Sequence, residues 1–228
     1  MKFDEYYQKA RILPSLIVLI PFIIFATYCE MEDFKNIVDG LFKIRIIGHL
    51  TISIALLYLL IQINRFLGKF FFEKYLFNNE LELPTTAFLL FSNKEFSEDY
   101  KVRIRKNIEN DFNVKMPNKQ DEQENLIDTK KKIAETVGLI RQKVKKGRLL
   151  HQHNIEYGFA RNFIGGSILG FLMSVFNINY FMIQSNDSVV IINIFLTIIF
   201  LLTIIFCKLI INILGKQYAK RLFQEYMQ

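Results

Sequence analysis

Four stretches of the chain, Ile12 to Tyr28, Ile46 to Ile63, Phe163 to Ile183 and Val189 to Cys207, are apolar and free of Asp, Glu, Lys and Arg. Each is close to the roughly 17 to 25 residues that a helix needs to cross a bilayer's hydrocarbon core. Only helices or closed barrels satisfy their backbone groups in lipid, and the alternating polarity of a barrel strand is absent. The pattern predicts an all-α membrane protein with four transmembrane helices, two plus two, and a mainly helical insert between spans two and three. Three segments follow: 1–77, a first helix pair with an interfacial extension; 78–162, the insert; and 163–228, a second pair with a tail. Lys9 and Arg11 precede span one as they would an export signal. Its end, Phe25-Ala26-Thr27-Tyr28-Cys29, lacks the small-x-small cleavage pattern, so the span is expected to stay in the membrane.

Orientation follows from Lys and Arg, which resist translocation. Three precede span one, nineteen fall between Arg65 and Arg161, and four close the chain, which places both termini and the insert in the cytoplasm. The loop Gln184 to Ser188 has none and is expected outside. The other outer loop, Glu30 to Arg45, is slightly negative but carries Lys35, Lys43 and Arg45 near span two. Cys29 and Cys207 fall at opposite ends of their spans, beyond the Cα separation of about 7 Å that a disulfide allows, and are expected to be free thiols. The whole chain has a formal net charge of +7.

With about 85 residues, the insert can bury only a small core of its own, which points to support from the membrane helices or from other copies. Past span two, Arg65, Lys69 and Glu73 recur among Phe66, Leu67, Phe70, Phe71, Phe72 and Leu76, the pattern of a helix end anchored at the interface. Leu81 to Thr86 reads as extended, because Pro84 disfavours helix at the residue before it. Ser97 caps a helix in which Tyr100, Ile104, Ile108 and Phe112 form one stripe opposite Lys101, Arg105 and Lys106, with Pro117 ending it. A second helix is predicted from near Asp121, with Ile133, Val137, Ile140 and Val144 on one face. Its basic residues, Lys130, Lys131, Lys132, Arg141, Lys145 and Arg148, are candidate ligand-binding residues. Arg141, Lys145 and Arg148 share a helix face, and such a row can track phosphates or anionic headgroups. The competing reading is a solvated face that enforces topology. His151 and His153 have the wrong spacing for a helical metal pair and no Cys beside them. The sequence shows no catalytic signature, no metal site and no cofactor motif, and predicts no enzyme.

Within the spans, Gly166, Gly170 and Ser174 recur every four residues, a small-xxx-small stripe that lets another helix approach closely, in the same chain or in another copy. His49, Ser53 and Gln62 in span two, with Asn193 and Thr197 in span four, are the polar candidates for a pore lining or for bonds between helices. Pro14 and Pro21 are expected to bend span one.

Leu83-Pro84-Thr85-Thr86 leading into Leu89-Leu90, and Asn154-x-x-Tyr157-Gly158-Phe159-x-Arg161-Asn162 before span three, resemble a family of small bacterial multi-span membrane proteins. Its members carry a similar soluble insert with these motifs near its ends. In size and layout the chain also resembles the transmembrane effectors of bacterial anti-phage nucleotide-signalling systems, Hailong-type effector channels above all. The resemblance implies a homo-oligomer in the bacterial inner membrane. It also implies an ion-conducting pore controlled by a nucleotide or short nucleic acid, and a partner nucleotidyltransferase that makes the signal. Thr85, Thr86, Asn154, Tyr157, Arg161 and Asn162 would then couple the base of the insert to spans two and three. Between Lys130 and Gly147 the chain departs from that family, with a lysine-rich helix in place of a more aromatic one. A second reading stays open: a membrane scaffold or sensor that recruits a cytoplasmic protein and conducts nothing.

Overall fold

A computed structural model describes residues 4–29, 32, 36, 40, 46–71, 77, 81–144 and 148–228, with the side chains of 46–50 and 148–149 outside that description. Most of the predicted loop Glu30 to Arg45, together with Phe72, Glu73 and Leu76 of the interfacial extension, lies outside the described residues. No strand occurs among the described residues. The chain divides into two compact units, residues 1–69 with 159–207 and residues 70–158 with 208–228.

The first unit holds the apolar helices. Among the described residues, four helices are long and apolar enough to cross a membrane, Glu5–Tyr28, Thr51–Lys69, Leu150–Ile183 and Asp187–Ile205. The first is α1 (Glu5–Tyr28), and the others lie in α2 (Ile46–Lys69), α7 (Arg148–Ile183) and α8 (Asp187–Ile205). Their outer faces are apolar: Leu16 and Ile23 of α1, Leu56 and Leu59 of α2, Leu172 of α7, and Ile191 and Phe195 of α8 are all exposed. Apolar residues outside and amides inside is the arrangement for hydrocarbon surroundings. Pro14 lacks the N–H that would close a helical bond to the Ala10 carbonyl, and the preceding turn, Gln8–Ile12, widens to π geometry. Pro21 sits inside a helix that runs on to Tyr28. Between α7 and α8 the turn is closed by Ser185 at φ 54° and by Asn186, whose side chain accepts from the Val189 amide. Both cysteines are free thiols, as the spacing predicts.

The second unit contains α3 (Pro84–Ala87), α4 (Glu98–Phe112), α5 (Lys119–Glu124), α6 (Leu126–Lys143), the start of α7 and most of α9 (Cys207–Tyr226). Its core joins Phe88, Leu89, Ile104, Ile108, Ile133, Val137 and Ile140 to Ala219, Leu222, Phe223 and Tyr226. The C-terminal residues expected as a tail therefore complete the insert's core. That answers the shortage of apolar surface in a segment so short.

Local expectations shift in three places. Leu83 is extended, but Pro84, Thr85 and Thr86 form a helical turn with proline at its first position, where a missing N–H costs nothing. α4 stops at Phe112, before Pro117, because Asn113 turns left-handed (φ 53°) and donates its N–H to the Glu109 carbonyl. The single helix expected from Asp121 is two. Asn118 and Asp121 form a capping box on α5, the chain breaks at Asn125, and Asn125 caps α6.

Candidate functional site

Polar groups of the first unit fall into two sets, one inside it and one on its surface. Inside, Ser15, Asn64, Asn162, Ser167, Ser174, Asn177 and Asn193 are all at most 1% exposed. Asn64 Nδ2 donates to Ser15 Oγ (3.0 Å), tying α2 to α1. Asn162 Nδ2 donates to the Ala10 carbonyl (2.6 Å), the acceptor that Pro14 leaves without its helical donor. Asn177 Nδ2 donates to the Pro21 carbonyl (2.8 Å) and to Asn193 Oδ1 (2.9 Å), and so binds α7 to α1 and α8. Asn193 Nδ2 donates to the Val189 carbonyl and Thr197 Oγ1 to the Asn193 carbonyl. The predicted pair Asn193 and Thr197 is thus engaged in bonds within one chain. Asn64 Oδ1, Asn162 Oδ1, Asn177 Oδ1 and Ser174 Oγ meet no donor among the described residues.

Small residues let these amides meet. A Cβ on Gly166 would sit 2.7 Å from a Val18 methyl and 2.8 Å from Asn64 Oδ1, and one on Gly170 would sit 2.6 Å from the Phe200 ring. The Gly166, Gly170 and Ser174 stripe is therefore spent on packing inside the unit. A second close crossing, outside the predicted stripe, sets Gly165 against Gly68 and the Asn64 carbonyl, where a Cβ on Gly165 would sit 2.6 Å from the Asn64 oxygen.

On the surface, α2 has three distinct faces at 3.6 residues per turn. Ile61, Asn64 and Gly68 are buried, while Leu56, Leu59, Ile63 and Phe66 are exposed and apolar. Thr51, Ala55, Tyr58, Gln62, Arg65 and Lys69 recur at steps of four and three, and each is exposed or half-buried. Gln62 of the sequence prediction belongs to this stripe. Ser53 is exposed nearer the packed face, and the side chain of His49 lies outside the described residues.

The described basic residues predicted on α6 have separate partners. Lys130 Nζ is 2.5 Å from Glu82, and Arg141 donates to Thr85 Oγ1 (3.1 Å). Lys131 pairs loosely with Asp128 (3.5 Å) and Lys132 is exposed. Lys145 lies outside the described residues, and Arg148 opens α7 with its side chain outside them. Of the expected coupling residues, Thr85, Thr86, Asn154 and Tyr157 belong to the second unit, where Thr85 and Thr86 are buried and the Tyr157 ring lies 6.4 Å from that of Tyr218. Arg161 and Asn162 belong to the first.

Lys101 and Arg105, expected on the solvent side of α4, are 0% and 6% exposed. Both reach over the Ile104 and Ile108 face to hold the chain between Leu89 and Asn93. Lys101 Nζ donates to the carbonyls of Leu90 (2.9 Å), Phe91 (3.3 Å) and Asn93. Arg105 donates to the carbonyls of Leu89 and Pro117, and its guanidinium lies 4.2 Å from the centre of the Phe91 ring. Glu122 accepts from the amides of Phe91 (2.7 Å) and Ser92 (3.0 Å). Burial lowers Lys101 from its ordinary value and lowers Arg105 to about 10, still protonated at neutral pH. Burial alone would raise Glu122, but its bonds from Ser92 and Phe91 and the nearby Arg105 hold it below the usual carboxylate value. No periodicity marks these three residues. Their role depends on a loop brought beside them by the fold.

Comparison with family models, with curated proteins and with solved structures found no match to this chain.

Proposed function

We propose that the chain is an oligomeric effector of the bacterial inner membrane that conducts ions, with the second unit in the cytoplasm sensing an anionic nucleotide or oligonucleotide signal. Anti-phage defence with a partner nucleotidyltransferase is the setting that the resemblance in size and layout suggests. One observation carries the pore: the stripe from Thr51 to Lys69 on an exposed face of α2. Polar side chains in hydrocarbon are unfavourable unless they face protein or water. α2 helices from several copies, set around an axis with this stripe inward, would surround a water-filled path and leave Leu56, Leu59, Ile63 and Phe66 to the lipid. The buried amides donate within one chain and serve to hold α1, α2, α7 and α8 together.

Recording from purified protein in planar bilayers tests this reading. Gln62→Lys is expected to lower cation conductance and shift selectivity towards anions, with Asn193→Leu changing stability more than selectivity. Silence in the presence and absence of nucleotides and short DNA would sink the pore. So would conductance indifferent to Gln62, Tyr58 and Thr51. A scaffold is the second reading, favoured by Val102, Leu126 and Ile127, which stand exposed on the second unit. An intact membrane potential on overexpression, with a stable cytoplasmic partner bound through these residues, would replace the first reading with it.

A further inference from the structure

We propose that a cavity in the second unit, over the loop from Phe91 to Ser97, binds a small anion that carries a flat aromatic ring, the chemistry of a mononucleotide. The inference rests on the reading that this unit senses an anionic signal, and it moves the site from the α6 basic residues to the cavity. The space is about 470 Å³ and is lined by Phe91, Phe96, Lys94, Lys119, Glu98 and Gln123, with Lys101 and Glu122 behind them. That volume falls within the roughly 300 to 1,000 Å³ of small-molecule sites.

Three properties point to such a ligand. The loop is organised before binding, since Lys101 and Glu122 fix four of its carbonyl and amide groups from beneath, with bonds to the Phe91 and Asn93 carbonyls and the Phe91 and Ser92 amides, while Arg105 and Lys101 hold the Leu89 and Leu90 carbonyls just before it. Burying three charged side chains to hold one short surface loop is costly unless the loop has to keep its shape. The second property is charge. Lys101 and Glu122 are occupied with the loop, which leaves Lys94 and Lys119 exposed at the rim against Glu98. An anion is attracted there. The third is the Phe91 ring, half-buried in the wall and held by the Arg105 guanidinium. A ring fixed in that way is a stacking surface for a base.

The test is calorimetric titration of the full-length protein in detergent with ATP, with the trinucleotide d(AAA) and with inorganic phosphate. Saturable binding is expected, with phosphate weaker than ATP because it has no ring to stack. Phe91→Leu, which keeps an apolar side chain of moderate size, is expected to weaken ATP by at least about fivefold, the lower end of base stacking on an aromatic. Lys94→Glu with Lys119→Glu is expected to weaken it further, and Lys131→Glu with Lys132→Glu on α6 to leave it unchanged. Should Phe91→Leu unfold the unit, the rim lysines, both exposed, carry the test. No saturable binding of either nucleotide overturns the proposal. Binding that survives every cavity variant also overturns it, as does loss confined to the α6 pair. Because the readout is binding, a silent bilayer recording beside intact cavity binding would sink the pore and leave the site standing.

Discussion

Replacing Asn177 by Leu keeps the side chain near its original volume and removes the donor that joins three helices. Two bonds are lost, to the Pro21 carbonyl at 2.8 Å and to Asn193 Oδ1 at 2.9 Å. Hydrogen bonds between membrane helices average about 0.6 kcal/mol and reach about 1.7, which sets the loss at about 1 to 3 kcal/mol. The same change also removes Asn177 Oδ1, a buried acceptor with no donor among the described residues. That relief places the expected destabilisation in the lower half of the range. Asn193→Leu loses the bond from Asn177 and its own bond to the Val189 carbonyl. The double variant is therefore less unstable than the sum of the two, by a coupling of about 0.6 to 1.7 kcal/mol. Reversible unfolding in mixed micelles titrated with SDS, followed by far-UV circular dichroism, measures all four corners of the cycle. Additivity within about 0.3 kcal/mol would refute the bond and, with it, the assignment of Asn193 to packing.

Gly165→Ala would bring a Cβ to 2.6 Å from the Asn64 carbonyl and onto the Gly68 amide, both backbone atoms that have nowhere to go. A loss at or above about 3 kcal/mol, the upper end of overpacking, is expected in thermal unfolding. Gly138→Ala on α6 meets nothing within 4 Å and is expected to stabilise by about 0.5 to 1 kcal/mol through backbone entropy. Lys101→Met leaves three carbonyls without their charged donor and is expected to cost about 2 to 4 kcal/mol, read from urea unfolding. Acid should weaken the second unit. Glu122 has a folded value below its ordinary 4.5, so its stabilisation is complete above that pH and is lost as pH falls through the folded value. In Glu122→Gln the melting temperature drops at neutral pH and falls less between about pH 5 and pH 3, and an unchanged acid slope would contradict the assignment.

The helices were legible because each rests on local rules. Ser97 caps α4 where the sequence places it, and Ile104, Ile108, Ile133, Val137 and Ile140 are buried as their spacing predicts. Less was legible of the sites. Asn177 meets the same criterion as Asn193, an amide inside a span. Asn64 lies one residue past the predicted end of span two. Lys101 and Arg105 could not be found by pattern, since a charged residue beside an apolar stripe is solvated unless the fold supplies buried acceptors.

By itself the sequence determined four helices able to cross a membrane and most of the helical character of the rest, because hydrophobic period, caps and breakers act over a few residues. Tertiary structure decided which polar groups are spent on bonds inside the chain and which remain on its surface. It completed the insert's core with Leu222, Phe223 and Tyr226 from the far end of the chain. It also turned Lys101, Arg105 and Glu122 into a clamp on one loop. These outcomes depend on which distant backbone atoms arrive beside a side chain, and local periodicity does not carry that information.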